Sequence, residues 1–293
     1  MRFINPKIDF GFKKIFGSQD SQEILISFLN AVLYDGEPII ESLTILNPHL
    51  APRIRGFKDT YLDVKAELNT GKTVVIEMQV LNIEGFEKRI LYNAAKTYSM
   101  QLKQGEDYTE LNPVIALTIT DFVMFPDWEK YTSWFVLKEK DFLMDYPIYD
   151  LELVFVELPK FEKTLEEVRT LCDKWLYFIQ QARQMNEIPP ILGEIPAISE
   201  AFAIANIANL TEEELYDLEH REIFIHDQRN AFIRAERSGW ERGIEQGREE
   251  GREEGQQESK IEIARRLLGI LDEATVAQMT GLTLEQIRDI DRT

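Results

Sequence analysis

One cysteine in 293 residues, Cys172, excludes an internal disulfide and a cysteine-rich zinc site. Histidine is almost as scarce: His49, His220 and His226 follow no ligand spacing and share no helical face, so none is assigned a catalytic role. No stretch approaches the roughly 18 apolar residues of a membrane span. The opening MRFINPKIDF has neither the apolar core nor the small-residue cleavage site of a secretory leader. A cytoplasmic protein without membrane partners is the expectation. Positive charge is short as well. Lys+Arg number 33 against 52 Asp+Glu, a net charge of −19, whereas nucleic-acid binders usually carry a basic footprint. The deficit is uneven: residues 1–160 hold 17 basic against 24 acidic residues, and residues 161–293 hold 16 against 28. Local basic clusters survive in the first part, at Lys7, Lys13 and Lys14, at Arg53, Arg55 and Lys58, and at Lys88, Arg89 and Lys96. A hydrophobic fraction of 44% is that of a globular protein, long enough for one substantial core with an appendage or for two modest domains.

What the chain does have is concentrated in YLDVKAELNTGKTVVIEMQV, Tyr61 to Val80. Leu62, Val64, Ala66 and Leu68 alternate with Tyr61, Asp63, Lys65 and Glu67; Val74, Ile76, Met78 and Val80 alternate with Val75, Glu77 and Gln79. That period of two predicts a pair of strands. Asn69-Thr70-Gly71 predicts a three-residue hairpin loop with Gly71 in the left-handed position. The register then sets Leu68 opposite Lys72, Val64 opposite Ile76 and Asp63 opposite Glu77, with Gln79 on the same face. Opposed carboxylates repel unless one is protonated or a cation lies between them. A hard divalent ion such as Mg²⁺ takes oxygen ligands and keeps positions for water and phosphate. A solvated strand face neutralised by Lys65 and Lys72 fits the same spacing, so spacing alone leaves both readings open.

Asp63, a turn, and then Ile76-Glu77-Met78-Gln79 resembles the core of the PD-(D/E)XK nucleases, in the form typical of the recombination-promoting nuclease and transposase family. Asn5 to Gly17, NPKIDFGFKKIFG, is similar to that family's opening helix, and Arg89 to Phe122 is similar to the helix and strand after its catalytic hairpin. An acidic C-terminal segment with glycine at every fourth position is also common there. The resemblance implies an α/β fold: a restriction-endonuclease-like mixed sheet flanked by helices, in the order α-β-β-β-α-β, with an α-helical C-terminal extension. It implies a Mg²⁺- or Mn²⁺-dependent DNA endonuclease of transposase type, with Asp63 and Glu77 as metal ligands and Asp9 as a further acid beside the ion. Gln79 stands where a lysine is usual; its amide can hold a water or a phosphate oxygen but offers neither a base nor a positive charge. Lys65, on the predicted face of Asp63, would supply that charge, or else simply neutralise Glu67 and Asp63. DNA contacts are assigned to Lys13, Lys14, Arg53, Arg55, Lys58, Arg89, Tyr98 and Gln101, and cutting both strands calls for a homodimer. The competing role for Asp9 is a helix N-cap, and for Tyr98 a place in the core. The competing function is a silent nuclease-fold scaffold, or a DNA-binding or protein-interaction protein.

Along the rest of the chain, apolar spacing predicts helix from Asp9 to Val32 with a break near Gly17-Ser18, a strand over 38–47, and a helix over 86–104 ended by Gly105. Pro113 to Thr120 is a nearly continuous apolar run, as for a strand buried on both faces. Trp134–Leu137 and Leu151–Val156 read as further strands, and Thr164–Met185 and Ile198–Asp217 as helices. Four segments follow: a nuclease-like domain over 1–160, a helical extension over 161–235, a charged glycine-striped helix or tether over 236–259, and a small helix-turn-helix over 260–293. In the third, Gly239, Gly243, Gly247, Gly251 and Gly255 recur among Arg and Glu; glycine costs about 1 kcal/mol per helical site, and the charge density favours a tether. In the fourth, Leu284 to Ile290 has Arg288 as its only basic residue, a poor complement for base edges.

Overall fold

The computed structural model describes residues 1–50 and 60–291. Arg53, Arg55 and Lys58 lie outside the described residues. The chain divides into two compact units, Met1–Ile225 and His226–Thr293.

In the first unit, helices α1 (Asp9–Phe16) and α2 (Gln22–Leu33) precede strands β1 (Leu43–Leu46), β2 (His49–Leu50), β3 (Thr60–Tyr61), β4 (Val64–Leu68) and β5 (Thr73–Gln79). Helix α3 (Phe86–Ser99) leads to β6 (Val114–Thr120), β7 (Thr132–Phe135) and β8 (Leu151–Glu157), and then come α4 (Leu171–Gln181), α5 (Pro190–Gly193), α6 (Pro196–Ala205) and α7 (Glu212–Leu267). Six strands form a mixed sheet in the order β1-β4-β5-β6-β8-β7, while β2 and β3 pair separately. The hairpin register follows the alternation: Val64 pairs with Ile76 and Ala66 with Val74, Leu68 bonds Lys72, and Gly71 has φ +81°. Strands β5, β6 and β8 run parallel, as expected where α3 forms the crossover from β5 to β6. Every residue of β6 is buried.

Each face of the sheet has its own apolar layer. On one face Val64, Ala66, Val74, Ile76, Leu117, Ile119 and Val156 pack with Phe12, Phe16, Phe28, Trp175, Phe178 and Phe202 of α1, α2, α4 and α6. On the other, Val75, Val114, Ala116 and Phe155 pack with Phe86, Ile90 and Ala94 of α3. Helices α4, α5 and α6 therefore share the main core. Trp175 is fully buried and donates from Nε1 to Ser27 Oγ at 3.1 Å, so its polar edge is satisfied. Gly11 on α1 lies so near the preceding loop that an added Cβ would stand 2.2 Å from Asn5 O.

Several boundaries differ from the sequence pattern. Strand β1 is confined to Leu43–Leu46, the residues that find partners on β4; Ile40 instead exchanges two 2.9 Å hydrogen bonds with the side chain of buried Asn30. Strand β7 is set two residues early by its pairing with β8, Thr132 opposite Val156. Helix α3 stops at Ser99 rather than at 104, and α4 starts only at Leu171, where Thr170 and Asp173 form a capping box.

The second unit holds the rest of α7, then α8 (Glu273–Thr280) and α9 (Leu284–Asp291), with Ala264, Val276, Leu282 and Ile287 as its core. Helix continues through all five glycines of the stripe, so the structure departs from the tether reading; no described neighbour comes within 4 Å of a Cβ built on any of them. Gly281, at φ +72°, ends α8, and Thr283 exchanges bonds with Gln286 to start α9. Among the described residues no helix is long and apolar enough to cross a membrane.

Candidate active site

The sheet, α1 and α3 bring five of the expected site residues to one cleft. Pairing between β4 and β5 stops at Val64 and Ile76. Two residues further along β5 the Met78 N–H is therefore open, and Asp63 Oδ2 accepts it at 2.7 Å. This bond turns the Asp63 carboxylate across the end of β5, beside Glu77. The cleft has a volume of about 400 Å³ and is lined by Asp9, Thr60, Tyr61, Asp63, Glu77, Met78, Gln79 and Arg89.

Asp9 is the first residue of α1, not its cap: Ile8 holds the cap position, with no side-chain cap bond. Its carboxylate turns to Lys13, one helical turn on, at 2.5 Å, and to Arg221 Nη1 at 2.8 Å. Lys13 bridges the Asp9 and Asp63 carboxylates, which lie close enough to shift each other's titration. The consequences for the pair are opposite. Burial, reinforced by Asp9, pushes Asp63 up to about 7, against Lys13 and the Met78 N–H. For Asp9 burial also raises, but Asp63 and Lys13 outweigh it and hold the group low. Lys13 Nζ lies 3.3 Å from Asp63 Oδ1; burial works against its charge, yet the two carboxylates raise its pKa.

Glu77 is held from α3. Asn93, 2% exposed, donates from Nδ2 to Glu77 Oε1, and Arg89 Nη2 lies 3.6 Å from Glu77 Oε2. Burial nevertheless raises Glu77, ahead of the opposing pull of Arg89, Asn93 and Lys13. Gln79 donates from Nε2 to Leu81 O at 2.8 Å and accepts at Oε1 from Arg89 Nη2 at 2.6 Å. Arg89 Nε, Asn93 Oδ1 and Asp9 Oδ1 are buried and find no hydrogen-bond partner among the described residues, although Lys13 Nζ lies beside the last.

Other expected site residues lie elsewhere. Lys65 pairs opposite Val75 and is absent from the cleft wall; burial lowers its pKa and Glu67 opposes this. Asp63 stands at the bend before β4 rather than in the strand, so alternation along the strand does not carry Lys65 to the same place. Lys14 is paired with Glu214. Tyr98 donates to Asp150 Oδ2 at 2.6 Å, a bond that, with burial, pushes the phenol up to about 12. Gln101 holds both the N–H and the carbonyl of Asn112. Asn93, Thr60, Tyr61 and Arg221 escape a reading of the sequence. Asn93 alone leaves a trace, a polar residue on the apolar face that Phe86, Ile90, Ala94 and Thr97 define.

The acid pair asks for a cation. Asp63, Glu77 and Asp9 offer only oxygen, the donor set of a hard divalent ion, and a cation between them would offset the repulsion of neighbouring carboxylates. Among the described residues no three His, Cys, Asp or Glu side chains are already grouped as a finished metal site; Lys13 and Arg89 stand against the carboxylates instead. Comparison with curated proteins and with solved structures gave no match. Comparison with family profiles matched residues 6–235, which span the sheet, the cleft and the start of α7. With that match over most of its length, the chain belongs to the PD-(D/E)XK nuclease family transposases.

Proposed function

We propose that this protein is a divalent-metal-dependent DNA endonuclease that hydrolyses phosphodiester bonds at the cleft formed by Asp63, Glu77 and Gln79. The observation that carries this reading is the convergence of Asp63, Glu77 and Asp9, with burial raising the proton affinity of the first two. Such a group binds either a proton or a cation. Asp63 and Glu77 would hold Mg²⁺ or Mn²⁺, with Asp9 behind Asp63. When bound, the ion polarises the phosphate and lowers the pKa of a bound water.

The chain's own residues orient the site. The Met78 N–H fixes Asp63, Asn93 fixes Glu77, and the bond to Leu81 O fixes the Gln79 amide. Gln79 is no base, and Asp63 and Glu77 would be taken up in holding the ion, so the proton of the attacking water is left to solvent. One cleft cuts one strand, so cleavage of both calls for two copies of the chain.

The test is cleavage of supercoiled plasmid by wild type and by Glu77→Ala, with Mg²⁺, with Mn²⁺ and with EDTA. Metal-dependent nicking by wild type alone supports the assignment; equal nicking by the variant refutes it. A second reading, a silent scaffold, draws on Lys13 and Arg89 already lying against the carboxylates. It predicts no calorimetric heat on titrating Mg²⁺ or Mn²⁺ into wild type, whereas a binding isotherm lost in Glu77→Ala rules it out.

A further inference from the structure

The motif position that usually carries a lysine holds Gln79, so an endonuclease at this cleft needs its positive charge from another residue. Lys65 is not on the cleft wall. Lys13 lies between Asp9 and Asp63, 2.5 and 3.3 Å from their oxygens, and it too is missing from the wall. Among the described residues that do line the cleft, Arg89 carries the positive charge. We infer that Arg89 supplies the charge of the absent lysine, and that Gln79 serves to aim it.

The geometry supports a division of labour. Arg89 lies in the first turn of α3, whose N-terminal end adds a favourable field for an anion. Phe86, fully buried, anchors that turn, and the guanidinium carbon lies 5.0 Å from the centre of its ring. Gln79 Oε1 accepts from Arg89 Nη2 at 2.6 Å. A lysine at 79 would itself carry the charge but could not accept that bond; glutamine accepts it, so the charge arrives from the neighbouring helix. The fork has five N–H donors. Nη2 serves Gln79 and lies 3.6 Å from Glu77 Oε2, while Nε is buried and has no acceptor among the described residues. A part-exposed guanidinium with donors in excess of acceptors, beside an acid cluster that calls for a cation, suits contact of its outer Nη groups with a phosphate oxygen.

The proposal rests on the endonuclease reading and gives it a specific electrostatic component. As a water oxygen bonds to phosphorus, the bond from phosphorus to the leaving sugar oxygen breaks. The water loses a proton to solvent and the leaving oxygen gains one from solvent. Arg89 stays protonated and stabilises the charge that builds on the non-bridging phosphate oxygens.

Removing one such preorganised donor costs about 10²–10³-fold in kcat. The experiment compares plasmid nicking in Mg²⁺ or Mn²⁺ by wild type, Arg89→Ala, Arg89→Lys and the double variant Arg89→Ala/Gln79→Lys. Thermal melts check the fold, and fluorescence anisotropy follows binding of a duplex in EDTA. Arg89→Ala should lose about 10²-fold or more in kcat, with KM and duplex binding within about 3-fold. Arg89→Lys should keep part of the activity. The double variant, with its lysine back in the usual place, should recover at least about tenfold over Arg89→Ala. Nicking by Arg89→Ala at the wild-type rate overturns the assignment of Arg89 alone, and so does a folded double variant without recovery. A wild type that never cuts overturns the endonuclease reading and this proposal with it.

Discussion

Asp63→Asn should make this protein more stable at alkaline pH while removing its proposed activity. Asp63 is 16% exposed, and its carboxyl is raised from 3.8 to about 7. A group raised in the folded state favours folding fully below its unfolded pKa, and this contribution is lost as pH rises from about 4 to about 7. Each pKa unit corresponds to about 1.4 kcal/mol, which puts the ceiling near 4 kcal/mol. Asparagine keeps an oxygen for the Met78 N–H but gives up the attraction of Lys13, so the expected net gain is about 2 kcal/mol at pH 8. Urea denaturation in EDTA at about pH 5 and about pH 8, for wild type and Asp63→Asn, measures it. Wild type should lose more stability than the variant between the two values. The depressed carboxyl of Asp9 acts in a different window, stabilising above about 4 and losing its effect as pH falls below. Mg²⁺ at 100 times its Kd should then add about 2.7 kcal/mol to wild type and little to the variant. A variant less stable than wild type at pH 8, with an unchanged pH profile, would refute the argument.

Asp173 is fully buried, and its Oδ2 accepts the N–H groups of Arg169 and Thr170 at 3.0 and 3.1 Å while Lys163 lies 2.7 Å from Oδ1; Asp173→Ala should cost about 2–3 kcal/mol in urea melts. Gly11→Ala drives a methyl into Asn5 O and should destabilise by about 1–3 kcal/mol. By contrast Gly247→Ala, with nothing within 4 Å, should add about 1 kcal/mol to α7, seen by circular dichroism as a later loss of helix on heating. Phe16→Ala opens a cavity among Phe12, Phe28 and Trp175 and should cost about 3–5 kcal/mol.

The hairpin was legible because two local rules agree. Strict alternation fixes which residues share a face, and Gly71 fixes where the chain turns, so the register from Val64–Ile76 to Glu67–Thr73 follows without tertiary information. The burial of β6 was legible from its unbroken apolar run. Boundaries set by a distant partner were not: β1 is trimmed by the Asn30 side chain, and β7 takes its place from β8. The site shows the same division. Alternation puts Asp63 and Glu77 at the same end of the hairpin, but the Met78 N–H turns Asp63 into the cleft, and which cation reaches the pair depends on how α1 and α3 pack on the sheet. Lys65, only two residues from Asp63, is left outside, while Arg89 arrives from twelve residues beyond Glu77. Helical spacing indicates that Arg89 and Asn93 share a face, and only the packing of α3 says that this face meets Gln79 and Glu77.

The charge balance of the first unit bears on how an acidic protein could act on a polyanion. Most of its described basic residues are already engaged: Lys7 with Asp121, Lys13 with Asp9 and Asp63, Lys14 with Glu214 and Lys72 with Glu152. Lys96 donates to Leu50 O at 2.6 Å. Each of these engagements competes with a phosphate contact, and each such contact contributes to affinity through the counterions it releases. At the cleft, burial raises the proton affinity of Asp63, and Lys13 and Arg89 lie against the carboxylates. On the proposed reading Asp63 and Glu77 would hold a divalent ion, which would offset their charge and supply an attraction for phosphate. Affinity for DNA and competence to cut it would then arise from one event, which gives a chain with net charge −19 a route to its substrate without a basic groove.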